Sequence, residues 1–234
     1  MNGSFGQLQT RPLQWAVWQK QLDIVRLLLR KGALQSPLNS LGWNIAFFCW
    51  PGLERTERSM LEFLNLLAED DYQDLQVADT EGWTVLHRVA AYGLPDEVER
   101  LLELGARPDQ TAAPLHWNAI HHAVFYGNYR AFKTLVPYYS DVATLTDERG
   151  WTLLHIAASA GHYDIVIDLI KLGADPDSRT RPFRSHMPES IYGRACSPQE
   201  VAAAQGADVE RKYLNALQEA QYDMQAVFWD APEA

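Results

Sequence analysis

The sequence predicts an all-α solenoid of about six helix-turn-helix repeats with short projecting hairpin turns, and three periodicities carry that expectation. Trp83, Trp117 and Trp151 are evenly spaced, His87, His121 and His155 keep the same interval, and so do Gly93, Gly127 and Gly161. A fixed period of about 34 residues marks one supersecondary unit copied along the chain, and no single unit can bury its apolar face without a neighbour. The clearest copies are Asp79-Thr-Glu-Gly-Trp-Thr-Val-Leu-His87 and Asp147-Glu-Arg-Gly-Trp-Thr-Leu-Leu-His155.

In chain order, the first unit occupies residues 8–38. Pro12-Leu13, Ala16, Ile24-Val25, Leu27 to Leu29 and Gly32-Ala33 align position for position, with no gap, on their counterparts in the Asp147 unit, and Lys20 stands where the inter-helix glycine belongs. The second, 39–78, opens at Gly42-Trp43-Asn44 and carries Leu61, Leu64, Leu66 and Leu67; Trp43 lies farther from Trp83 than the later tryptophans lie from one another. The third, 79–111, and the fifth, 147–180, define the pattern. In the fifth, Asp147 to Gly150 is turn chemistry and Thr152 can cap the following helix. Ala157 and Ala158 keep that helix thin, Gly161 separates the helices, and Ile165, Val166, Leu169 and Ile170 recur at helical spacing. Gly173 sits where a left-handed cap ends the second helix. The fourth, 112–146, is eccentric: His116 replaces the turn glycine, Asn118 the threonine, and Pro137-Tyr138-Tyr139 the usual ending. An insertion within Arg179 to Cys196 precedes the sixth, 190–218, which runs from Ser197-Pro198 through Val201-Ala202 and Gly206 to Leu214 and Leu217. The remaining 219–234, with Met224, Val227, Phe228 and Trp229, reads as a capping or flexible tail.

This pattern resembles the ankyrin repeat, with its Gly-x-Thr-Pro-Leu-His-x-Ala-Ala start, Gly-His turn, Val-x-x-Leu-Leu and closing Gly-Ala. The resemblance covers residues ~8 to ~218, and the signature proline is missing from the three central copies, where Val85, Ala119 and Leu153 stand. It implies a protein-binding stack in which the histidines hydrogen-bond around the turn and first helix. It also implies that the residue after the turn glycine lies on a projecting hairpin, beside a concave groove lined by the ends of the first helices.

Composition narrows function. The 234 residues carry a net charge of −10, so no overall positive field gathers nucleic acid or an anionic membrane, and a basic partner is favoured. Cys49 and Cys196 are the only cysteines and lie far apart in the chain, too few for a disulfide framework or a four-thiolate zinc site. Met1 to Thr10 lacks a cationic start followed by an apolar core, and stretches such as Ile165 to Ile170 are broken by Asp168, far below the ~20 apolar residues of a membrane span. The expectation is a soluble intracellular chain, cytoplasmic or nuclear, and a monomer. No Gly-x-Ser-x-Gly, phosphate-cradling loop, His-Glu-x-x-His or dinucleotide fingerprint appears, so neither an enzyme nor a cofactor is expected. Histidines at equivalent positions of stacked repeats sit roughly 8–10 Å apart and cannot share a zinc, which leaves His116, His121 and His122 as the only metal candidates.

The candidate partner-binding residues are aromatic. Trp43, Trp83, Trp117 and Trp151 follow the turn glycine or its substitute, while Trp18, Tyr92, Phe125 and Tyr126 end first helices. A ladder of Trp and Tyr suits an interface hot spot, yet each indole can equally staple its hairpin to the next, and a large Trp can do both. Arg181 and Arg184, clustered with Arg179 and Arg194 in the insertion, are the candidates for edge electrostatics toward carboxylates or phosphates. The function expected is binding of a protein or peptide in the groove, as an adaptor or regulatory subunit. End-to-end structural assembly, and a catalytic or pathway subunit with a small-molecule pocket, are the alternatives.

Overall fold

A computed structural model of the chain describes residues 9–50, 59–70, 72, 74–183, 186 and 188–229. Among these lie eleven α-helices: α1 (Pro12–Trp18), α2 (Leu22–Arg30), α3 (Leu61–Glu69), α4 (Val85–Tyr92), α5 (Pro95–Glu103), α6 (Ala119–Phe125), α7 (Tyr129–Leu135), α8 (Leu153–Ala160), α9 (Tyr163–Lys171), α10 (Pro198–Gln205) and α11 (Ala207–Trp229). The first helices α1, α4, α6, α8 and α10 form one row, with a 3-10 turn (Ile45–Cys49) between α1 and α4, and α3, α5, α7, α9 and α11 form a second. The only strand-like pairings among the described residues are the isolated bridges Ala112–Trp117 and Thr146–Thr152. One continuous apolar core runs through the stack.

Local chemistry sets each unit. The side chains of Asn118, Thr152 and Ser197 accept from the amides of His121, His155 and Glu200, satisfying otherwise unpaired N–H groups at three helix starts. Ala90, Ala123, Ala157 and Ala158 are buried, and their small size lets first helices pack closely. The hairpins repeat one device: Oδ1 of Asn39, Asp79 and Asp147 accepts from the amides two and four residues on, at 2.8–3.0 Å. Gly42, Gly82 and Gly150 then turn the chain at φ +73°, +84° and +71°, and His116 takes the same place in the fourth repeat at φ +55°. Successive hairpins are joined by backbone bonds, Thr80 N–H to Leu41 C=O (3.0 Å), Glu148 to Leu115 (3.2 Å) and Arg181 to Arg149 (2.9 Å).

Two elements depart from the expected pattern. The first helix of the second repeat is only the Ile45–Cys49 3-10 turn. The run Ile-Ala-Phe-Phe-Cys-Trp is rich in side chains that lose rotamer freedom in a helix, and Trp50 precedes a proline, which disfavours helical backbone. At the other end, α11 crosses residues 218–219 unbroken, so the second helix of the sixth repeat and the start of the tail are one rod. Ala220 is buried and Met224 packs on the core; the side chains of Val227, Phe228 and Trp229 lie outside those described.

Candidate protein-binding surface

The hairpin geometry places the tryptophans in register, but a neighbouring arginine decides which way each ring is used. The Arg88 guanidinium carbon lies 4.4 Å from the Trp43 ring centre and 6.0 Å from Trp83, and that of Arg149 lies 3.8 Å from Trp151 and 5.7 Å from Trp117. Each cation is thus held between indoles of successive hairpins, where the ring quadrupole attracts it. Arg149 donates from Nε (2.9 Å) and Nη2 (2.7 Å) to Asp147 Oδ2, which also accepts from Trp117 Nε1 at 3.0 Å. Arg88 donates to the Trp50 carbonyl at 2.9 Å and pairs with Asp79 at 3.9 Å. Burial pulls both guanidinium pKa values below the ordinary range, opposed by the adjacent aspartates.

The consequence is a division among the candidate residues. Trp151 and Tyr92 are each 3% exposed and Trp117 9%, so these three rings are spent on the stack and present almost no surface. Trp18, Trp43 and Trp83 are partly buried against the core, Tyr126 is half-buried, and Phe125 is 42% exposed. Trp43, Trp83 and Tyr126 come together around a cleft of about 350 Å³, lined also by Leu41, Arg88 and the hairpin tip Asp79 to Glu81. The cleft lies in the angle between the second and third hairpins and the row of first helices. Ring contacts continue outward: Trp83 to Tyr126 at 5.9 Å, Tyr126 to Phe125 at 5.1 Å and Phe125 to Trp117 at 5.0 Å. Trp18 joins this surface only through Phe48, which lies 5.9 Å from it and 5.6 Å from Trp43. Glu81 is exposed at the cleft mouth, and its carboxylate makes no ion pair among the described residues.

The arginines of the insertion do not act as one cluster. Arg179 bonds Glu200 at 2.5 Å and Arg194 lies 3.9 Å from the same carboxylate. Arg181 is exposed, with its amide tied to the Arg149 carbonyl, and Arg184 lies outside the described residues. The residues that sequence reasoning missed are Arg88, Arg149 and Glu97. Glu97 is fully buried and accepts from Trp50 Nε1 (3.1 Å), Met60 N (2.5 Å) and Leu94 N (2.7 Å), joining the second repeat to the third. For Glu97 the available signal was a charged residue at a position that is apolar in the next copies, where Ala131 and Ile165 stand.

The histidine column is occupied with structure. His87 Nδ1 accepts from the Thr84 amide (2.9 Å) while Nε2 meets the Gln110 carbonyl (2.8 Å), and His155 repeats this with Thr152 (3.2 Å) and Cys196 (3.0 Å). His121 Nδ1 lies 2.6 Å from Asn118 Oδ1. Burial lowers all three pKa values to about 4. His122 is buried 4.1 Å from the Trp83 ring, and neither of its nitrogens has a hydrogen-bond partner among the described residues. His116 is exposed at its turn. Among the described residues no three His, Cys, Asp or Glu side chains are placed to hold one metal ion. Burial raises the Cys49 thiol pKa, and both cysteines are free and buried. What this surface can do is bind, by aromatic contact and one unpaired carboxylate.

A family profile described as ankyrin repeats in three copies matches residues 56–146 and 110–180, and a single ankyrin repeat profile matches residues 11–40. Protein phosphatase 1 regulatory subunit 27 of Mus musculus is 42% identical over 83 residues, 36% of this chain and 53% of that protein. Its Homo sapiens namesake is 48% identical over 68 residues, 29% of this chain and 44% of its own length. The B-cell lymphoma 3 protein homolog of Mus musculus is 31% identical over 169 residues, 72% of this chain and 37% of that protein. The chain therefore spans about half or less of these relatives. No described helix is long and apolar enough to cross a membrane.

Proposed function

Because the chain belongs to the ankyrin repeat family, we propose that it is an adaptor or regulatory subunit that holds a protein or peptide segment against the cleft between its second and third hairpins. The observation that carries this reading is the convergence of Trp43, Trp83 and Tyr126 on one open cleft, with exposed Phe125 beside it. Aromatic side chains fixed by packing lose little freedom on binding and supply most of an interface's energy. Relatives named as regulatory subunits support the regulatory role. Glu81 and the net charge of −10 favour a basic segment and disfavour nucleic acid, while Arg181, at the far edge, would meet an acidic group of the partner. The reading is non-catalytic and intracellular, in a compartment that keeps Cys49 and Cys196 reduced.

The test is capture of partners from native lysate on the wild-type chain and on Trp83→Ala/Tyr126→Ala, followed by calorimetry with the partner retained. The double variant should keep its helical circular dichroism and lose more than ~2 kcal/mol of binding, about 30-fold. Unchanged affinity in the folded variant rejects the cleft. Trp117 is unsuited to this test, since its indole is bonded to Asp147 and its loss would act through stability.

A further inference from the structure

The two ends of the stack are built differently. At the amino-terminal end, Trp15 is 53% exposed and Ile24 44%, whereas Ile156 and Ile165, at the same repeat positions of the fifth unit, are 1% and 0% exposed under the preceding repeat. Leu28 is partly exposed where Leu169 is fully buried, and Leu27, 52% exposed, stands where the fifth repeat has Asp168. The outer face of the first repeat thus has the apolar composition of an internal repeat junction. The outward side of α11 instead exposes Arg211, Lys212, Asn215, Gln218 and Glu219 around Leu214 and Tyr222, a more polar surface than that of the first repeat.

We propose that this amino-terminal face is a stacking interface between two copies of the chain, related by a twofold axis through Leu27. Self-complementarity of α2 selects a second copy. Ile24, Leu27, Leu28 and Lys31 fall at helical spacing on one stripe, flanked by Asp23 and Arg30. When α2 packs antiparallel on its mate about Leu27, a residue four places before the axis faces one four places after it. Asp23 of one copy then meets Lys31 of the other, twice over, as an isologous contact requires. Among the described residues Asp23 and Lys31, both exposed, make no ion pair, and the Arg30 guanidinium donates to the Arg26 carbonyl. The two Leu27 side chains meet on the axis, and beside them a recess of about 360 Å³, lined by Pro12, Trp15, Ala16, Gln19, Ile24 and Leu28, leaves room for the mate's other apolar side chains. An isologous contact uses this face up in both copies, so pairing stops at two.

Sedimentation equilibrium of the full chain over a wide concentration range tests the proposal. The wild type should move with concentration from the 26.5 kDa monomer to twice that mass. Leu27→Asp should weaken association at least tenfold while keeping the wild-type circular dichroism. Asp23→Lys should weaken it and Asp23→Lys/Lys31→Asp restore it, an exchange that a general change of stability would not reproduce. Trp83→Ala/Tyr126→Ala should leave association unchanged, so failure of the cleft and failure of this interface are read separately. A wild type that stays monomeric across the whole range, or a dimer that ignores Leu27→Asp, overturns the proposal; either leaves the face to a different occupant.

Discussion

An imidazole sealed inside a repeat stack costs more when it carries charge, and His87, His121 and His155, each at most 1% exposed, are held with pKa values of about 4. In the unfolded chain each titrates near its ordinary 6.5. Between those values the unfolded state binds protons that the native state refuses, so stability is full above about pH 6.5 and falls as pH drops toward 4. Urea midpoints should be level from pH 7 to 8 and fall steeply between pH 6.5 and 4.5; a flat profile there would contradict this electrostatic picture. His122 offers a complementary test, because both its buried nitrogens lack a protein partner. Replacing such a group by an apolar one of similar shape is neutral or stabilising, so His122→Phe should keep or raise the unfolding free energy, by about 1 kcal/mol at most, in urea titrations. Arg149→Ala should do the reverse. It removes a cation whose side chain is 5% exposed and strands the fully buried Asp147 side chain, a loss of about 3–5 kcal/mol by urea unfolding. The histidine roles were legible because one motif recurs three times at fixed spacing. The burial of Trp117 and Trp151 was not, since it depends on an arginine seated between rings of different hairpins.

At the level of elements, the hairpins are the least tolerant pieces. Gly150 turns at φ +71°, and a Cβ there would lie 2.8 Å from Arg181 Cγ and 3.0 Å from its backbone nitrogen. Gly173, at φ +92°, has nothing within 4 Å of the same added atom. Gly150→Ala should therefore cost more than the ~1 kcal/mol expected from backbone conformation alone, and Gly173→Ala about that amount, in paired urea titrations. Equal costs would show that the close approach of successive hairpins is unimportant. The periodic glycines and aspartates made these turns readable in advance. The second repeat's missing first helix was harder, because its apolar run satisfies a helix period while the following proline and the longer Trp43 to Trp83 spacing signal a disrupted unit. The continuity of α11 through residue 218 also escaped, since no glycine or proline marks an end there and composition alone suggested a separate tail.

Across the whole molecule, stacking converts a linear code into a surface. Hairpins one repeat apart bring Trp43 and Trp83 to Arg88 of α4, and Tyr126 arrives from the repeat after that. The ladder read from the sequence supplied these names without their depths, and only packing separates the rings that hold the stack from those that can meet a partner. The arginines of the insertion show the same limit, because Arg179 and Arg194 both turn to Glu200, a residue of the following helix. Photo-crosslinking locates the partner most directly. A benzophenone side chain placed at Phe125, beside the cleft, or at Leu172, at the end of the second-row helix α9, reports which face is covered; both positions are exposed, 42% and 44%. Crosslinks to the captured partner from position 125 and none from 172 are the predicted result, and the opposite pattern, with binding intact, would contradict a partner held between the hairpins.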